Sequence, residues 1–222
     1  MTLPMPMKTV LLTGFEPFDG AAINPSWEAV RQLDGWSGDG FCVVARQLPC
    51  VFGRAAEAMR AAVDAVRPDV AIAVGQAGGR PELSIERIAI NVDDARIPDN
   101  AGRQPVDQPV VASGPAAYFT TLPIKAMAAA IREQGIKAGV SQTAGTFVCN
   151  HVFYALMHHL RGRAGAAKAG FIHVPFLPEQ AARQAAPAPA MTLDEIVAGL
   201  RVAVEVALAT DDDLVEAGGA TH

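Results

Sequence analysis

Thr9-Val-Leu-Leu-Thr13, closed by Gly14, is a short apolar run with β-branched residues that ends in a turn, the pattern of a strand buried on both faces. Asn24-Pro25 follows, a side-chain cap and then a proline at the first helical position, where its missing N–H is no loss. Behind it Trp27, Val30 and Leu33 recur at helical spacing. A strand over 41–46 comes next, then a helix whose inward stripe is Ala55, Met59, Ala62 or Val63, and Val66. A further apolar strand over 69–74 is stopped by Gly75. Strand, helix, strand, helix, strand is the order of a sheet with helices on its faces. It predicts an α/β fold, a three-layer α/β/α sandwich with a largely parallel (mixed) central sheet. Sites in such folds gather beyond the strand ends.

Further along, 83–92 reads as one more strand, and 93–121 as a long connection containing Pro, Gly and Asp, of a length that is usually functional or disordered. Residues 124–133 read as a helix closed by Gly135. A second helix starts at Val148 or Cys149 and runs to 160, with Val152, Leu156 and Leu160 on one face. A late strand covers 170–174, an Ala/Pro-rich connection 181–190, and an amphipathic helix 193–208. The acidic, glycine-containing end from about 211 is expected to fray. No repeat or linker divides the chain, so residues 1–222 are expected to form one catalytic domain.

The 222 residues are 50% hydrophobic and 18% charged, the composition of a globular chain. Eighteen Lys plus Arg against 23 Asp plus Glu give a net charge of −5, which does not supply the basic footprint that phosphate-backbone binders need. No nucleic acid and no membrane partner is therefore expected. Three cysteines, Cys42, Cys50 and Cys149, form no CxxC pair, so neither a disulfide framework nor a zinc cluster is expected, and a reducing cytoplasm fits. The opening residues lack the basic, apolar and small-residue segments of a secretory leader, and no run approaches a membrane span. No metal or cofactor is called for.

Chemistry concentrates at a few positions. Cys149, in Thr146-Phe-Val-Cys149-Asn-His151, stands at the start of a helix, where unpaired N–H groups and the helix dipole favour thiolate. The bland alternative is a small buried hydrophobe. Cys42 offers only that alternative, and Cys50 sits in a turn without an evident activator. Of five histidines, His158 and His159 suit the end of their helix, and His222 is terminal. His151 is two residues from Cys149 and does not face it. His173, at the carboxyl end of an apolar strand, is placed where active sites gather. Glu86 shares a strand face with Ile88, Ile90 and Val92 if 83–92 is one strand, which predicts a buried carboxylate in need of a partner. Arg87 points the other way, leaving a core ion pair or an imidazole as that partner. Gly75-Gln-Ala-Gly-Gly79 lacks the lysine and spacing of a phosphate loop; a turn or an amide-rich pocket rim fits better. Phe15 and Phe18, in a turn after the first strand, either pack locally or line a pocket.

Taken together, Thr13-Gly-Phe-Glu-Pro-Phe18, Asn24-Pro25, Gly75-Gln-Ala-Gly-Gly-Arg80, the block from Glu86 to Asn100, Thr143-Ala-Gly-Thr-Phe-Val-Cys-Asn-His151 and Gly170-Phe-Ile-His-Val-Pro175 resemble the pyroglutamyl peptidase I family of cysteine peptidases. The resemblance implies a triad of Glu86, Cys149 and His173. It places the pyroglutamyl ring among Phe15, Phe18 and Phe147, with Gln76, Ile97 and Val148 nearby and Arg96 close to the reacting carbonyl. It also implies a homotetramer acting on peptides with an N-terminal pyroglutamate, while what the family requires at Cys50 stays open. Three rivals stand beside it. One is a catalytically inactive relative that only binds such peptides. Another is a similarly layered hydrolase of peptidyl-RNA esters, which would need a basic groove. The last is a structural domain with a buried cysteine.

Overall fold

The computed structural model describes residues 7–163, 165 and 167–219. Its strands are β1 (Lys8–Phe15), β2 (Ser37–Gly38), β3 (Phe41–Leu48), β4 (Val70–Gln76), β5 (Leu83–Glu86), β6 (Ile88–Ile90), β7 (Ala117–Phe119), β8 (Ala138–Ser141) and β9 (Lys168–Val174). Its helices are α1 (Pro25–Val30), α2 (Arg54–Val66), α3 (Ile124–Glu133), α4 (Val148–Leu160), α5 (Pro178–Ala181) and α6 (Leu193–Ala209). Seven strands make one mixed sheet in the order β2-β3-β1-β4-β9-β5-β8, while β6 and β7 pair separately. Strands β3, β1, β4 and β9 run parallel. Strand β5 is antiparallel to β9 and parallel to β8.

Alternation along the strands feeds two cores. Val10, Leu12, Ile72, Val74 and Ile172 face one side with Val30, Met127, Ile131, Leu200 and Val204 of α1, α3 and α6. Leu11, Ala71, Ala73, Ala169 and Phe171 face the other with Met59, Val63, Val152, Phe153 and Leu156 of α2 and α4. Val10, Leu11 and Leu12 are all fully buried, as a strand covered on both faces must be. The expected three-layer α/β/α sandwich is the observed architecture.

Local signals account for the element ends. The Asn24 side chain accepts from the Ser26 N–H at 3.1 Å and caps α1. That helix is short, and Leu33 of the expected stripe falls in a 3₁₀ turn. Gly135, at φ +77°, follows α3. The strand read over 83–92 is two strands: 83–86 joins the main sheet, and 88–90 turns to pair with β7. The connection 93–121 is ordered, carrying β7 and an Asp93–Gln108 bridge. Strand β8 went unread in the sequence. The segment from Asp211, expected to fray, makes contacts as far as Gly218: Asp213 accepts from the Lys125 and Ala126 N–H groups at 3.0 Å each, and Arg87 donates to the Gly218 carbonyl at 3.0 Å. His222 and the opening segment through Pro6 lie outside the described residues. Among the described residues no helix is long and apolar enough to cross a membrane.

Candidate active site

The carboxyl ends of β1 and β4 meet the start of α4 on the face covered by α2 and α4. Register places His173 beside Gly75 of β4 on one side and Ser84 of β5 on the other. Gly75 is required there by space. A Cβ added to it would lie 2.7 Å from Phe171 Cζ and 2.8 Å from Cys149 Sγ. The sulfur thus rests on the sheet at the position directly beside the imidazole. Cys149 is the second residue of α4, and no side chain caps this helix at Phe147, so its first-turn N–H groups remain available to an anion.

Behind the imidazole, His173 Nδ1 is 2.7 Å from Glu86 Oε1. A carboxylate at Nδ1 holds the proton there and leaves Nε2 as the lone-pair nitrogen. Glu86 is completely buried, and its second oxygen, Oε2, has no hydrogen-bond partner among the described residues. Its charge partner is Arg80, whose Nη1 donates to the same Oε1 at 2.6 Å. Arg80 also donates to Ser141 Oγ at 3.2 Å and the Thr143 carbonyl at 2.9 Å, tying the carboxylate to the segment that leads into α4. Arg87 turns away to Gln142 and Gly218. The burial expected of Glu86 is found, but its parity argument fails. The strand changes partners at Arg87, and β5 is buried on both faces.

Burial pushes the Cys149 thiol up; Cys50 and Glu86 push the same way, and Arg80 opposes them. Desolvation thus opposes the helix-start effect that the sequence reading put first. Burial also pulls the His173 imidazole below the usual histidine value, against the opposing pull of Glu86. Both shifts disfavour the charged forms of the pair.

Cys149 and His173 line a cavity of about 200 Å³ together with Phe15, Phe18, Gln76, Arg80, Phe147 and Cys50. Phe18 and Phe147 approach to 6.1 Å between ring centroids, and Phe52 meets Phe147 edge-on at 5.3 Å. Gln180 donates to the Gln76 side-chain oxygen at 3.1 Å, which leaves the Gln76 NH₂ as a donor. Arg96 and Ile97 lie in an adjoining groove that shares Phe18 and Gln76 with this cavity. Val148 does not line the cavity; its side chain is buried in the α2/α4 core. Cys50 faces the cavity with a thiol that burial, Glu16 and Asp99 push up to about 12. His151 is occupied elsewhere, with Nδ1 2.8 Å from Asp93 and Nε2 accepting from the Gly53 N–H at 3.0 Å. His158 and His159 bond Tyr118 and Asp64. Arg80 was missed as a site residue: it ends a glycine-rich turn, and the only signal was a buried Glu86 lacking a cation.

A family model described as pyroglutamyl peptidase matches residues 8–210. The chain is 62% identical to a pyrrolidone-carboxylate peptidase of Chromobacterium violaceum over 216 residues, which is 97% of this chain and 100% of that one. It is 61% identical to the protein of the same name from Escherichia fergusonii, again over 97% and 100% of the two chains. Its structure is similar to the pyroglutamyl peptidase I of Bacillus amyloliquefaciens, with a TM-score of 0.92 at 46% identity, covering 95% of this chain and 100% of that one. A mutant pyrrolidone carboxyl peptidase of Pyrococcus furiosus superposes with a TM-score of 0.88 at 44% identity, covering 90% and 98%. Sequence and structure agree: the chain belongs to the pyroglutamyl peptidase family of cysteine peptidases.

Proposed function

We propose that the protein is a cysteine exopeptidase that hydrolyses the bond after an N-terminal pyroglutamyl residue through a thioester, with Glu86, Cys149 and His173 as its catalytic residues. The observation that carries this is the seat of one sulfur on Gly75, register-adjacent to an imidazole whose far nitrogen is held by a buried carboxylate. His173 Nε2 takes the thiol proton as Cys149 Sγ attacks the pyroglutamyl carbonyl, and returns it to the departing amine. Water, deprotonated by the same nitrogen, then cleaves the thioester and releases pyroglutamate and the free thiol. Glu86 fixes the ring and stabilises the imidazolium. The uncapped first turn of α4, with the Cys149 N–H, offers oxyanion donors; removing one such donor elsewhere costs about 3–4 kcal/mol. Arg96, lining the outer groove, has less claim to that role.

The cavity explains why the substrate must be a lactam. Its walls are Phe15, Phe18 and Phe147, and an ordinary ammonium terminus would lose its water there without gaining a counter-ion. The Gln76 NH₂ supplies a donor for the ring carbonyl. A prolyl residue lacks that carbonyl and would leave the donor unpaired, a mismatch that sites built on hydrogen bonds reject strongly. Cys149→Ala should abolish turnover of a pyroglutamyl fluorogenic amide, and the unaltered protein should cleave the pyroglutamyl amide far faster than the prolyl one. Retained turnover removes Cys149 from the mechanism, and equal rates defeat the lactam pocket. The inactive-binder alternative gains no support, because the relatives that share 62% and 61% of the sequence are named as peptidases. We further infer a cytoplasmic homotetramer needing no cofactor or metal, as the resemblance in sequence implies; Val106 and Phe119 are individually exposed apolar side chains that contact between copies could cover.

A further inference from the structure

Gln76 ends β4 one residue past Gly75, the seat of the sulfur, and lines the cavity with Cys149 and His173. A primary amide has a donor end and an acceptor end of nearly the same shape, so a glutamine alone could present either to a ligand. Gln180, on α5, removes that freedom. Its Oε1 accepts from the Leu177 N–H at 3.0 Å, and its Nε2 donates to the Ile23 carbonyl at 3.3 Å and to Gln76 Oε1 at 3.1 Å. A backbone N–H can only donate and a backbone carbonyl can only accept, so the two main-chain partners independently fix the Gln180 amide in one orientation. Both of its N–H bonds are then used, and the Gln76 atom that meets it must be oxygen. The Gln76 NH₂ is left facing away from Gln180, with no acceptor among the described residues.

We propose that Gln180 is a positioning residue that sets the polarity of the pocket wall. It holds Gln76 with its donor end toward the lactam carbonyl, so the pocket accepts a ring oxygen at that point and rejects a ring donor. The inference rests on the cavity being the pyroglutamyl site. Gln180 need not touch the substrate: the constraint passes from the Leu177 and Ile23 backbone through one amide to the next. The ring carbonyl is not the one that reacts, so its hydrogen bond is present before and during the chemistry. Weakening that bond should raise KM rather than lower kcat.

The test compares Gln180→Glu with Gln180→Met on a pyroglutamyl fluorogenic amide. Glutamate keeps the shape and the acceptor for the Leu177 N–H but turns a second oxygen toward Gln76. The Gln76 NH₂ then swings to that carboxylate and leaves its own oxygen facing the ring carbonyl. KM should rise about tenfold with kcat little changed, the effect of setting an acceptor where a donor is needed. Methionine removes the partner without reversing it, so its rise in KM should be smaller, although it also loses the Leu177 bond. Gln76→Met removes the amide through which Gln180 acts, and Gln180→Glu added to it should change KM no further. A merely structural role predicts the opposite order, methionine worse than glutamate. That order, an unchanged KM in Gln180→Glu, or full additivity with Gln76→Met would each overturn the assignment of Gln180. Absence of pyroglutamyl cleavage by the unaltered protein would instead count against the lactam site on which it rests.

Discussion

Arg80 sets the electrical balance of the site. It binds the same Glu86 oxygen that holds His173, and its charge lowers both the imidazole and the thiol values. Because burial holds His173 below the ordinary 6.5, the base stays unprotonated to lower pH than a free imidazole. The acid limb of kcat/KM should therefore fall below pH 6.5 and move upward in Arg80→Met, where the opposing cation is gone. The thiol shift has the opposite sign. Alkylation of Cys149 by iodoacetamide should still be rising at pH 9, since burial places the thiol above its ordinary 9.0. A plateau near neutrality would show a resting thiolate and remove the need for proton transfer to His173 during attack.

At the scale of elements, α3 depends on a distant segment. Its preceding residue, Pro123, offers no side-chain cap, and Asp213 supplies the missing acceptor to two first-turn N–H groups. Asp213→Ala should lower stability by about 1 kcal/mol, the usual worth of such a cap, with pyroglutamyl turnover unchanged; a denaturant midpoint checks it. The same pairing shows what sequence reading could reach. Apolar periodicity located β1, β3, β4, β9, α2, α3, α4 and α6, and helix-start position singled out Cys149. Periodicity could not separate β5 from β6, since the apolar alternation runs on through Arg87 while the backbone changes sheets. Ala138-Gly-Val-Ser141 is too short and too weakly apolar to stand out as β8. Arg80 and Asp213 act across 6 and 88 residues of sequence, and local pattern carries no trace of such pairings. Helix position alone carries no information on the desolvation that burial imposes on Cys149, because packing is not encoded in any motif.

The whole molecule is a sheet with two unlike faces, one purely structural and the other carrying the chemistry at its edge. Val106 and Phe119 are large apolar side chains left 64% and 65% accessible. Light scattering should give four times the 23.2 kDa chain mass; a monomer at micromolar concentration would refute the tetramer. The reversed direction of β5 bears on how the cleft is braced. Imidazole and carboxylate ride on neighbouring strands joined by the Ser84–His173 register, whereas the sulfur rides on a helix pinned to the segment after β5 by Asn150, which donates to the Ile90 and Val92 carbonyls. Base and carboxylate thus share one backbone ladder, and the nucleophile joins it through side-chain bonds.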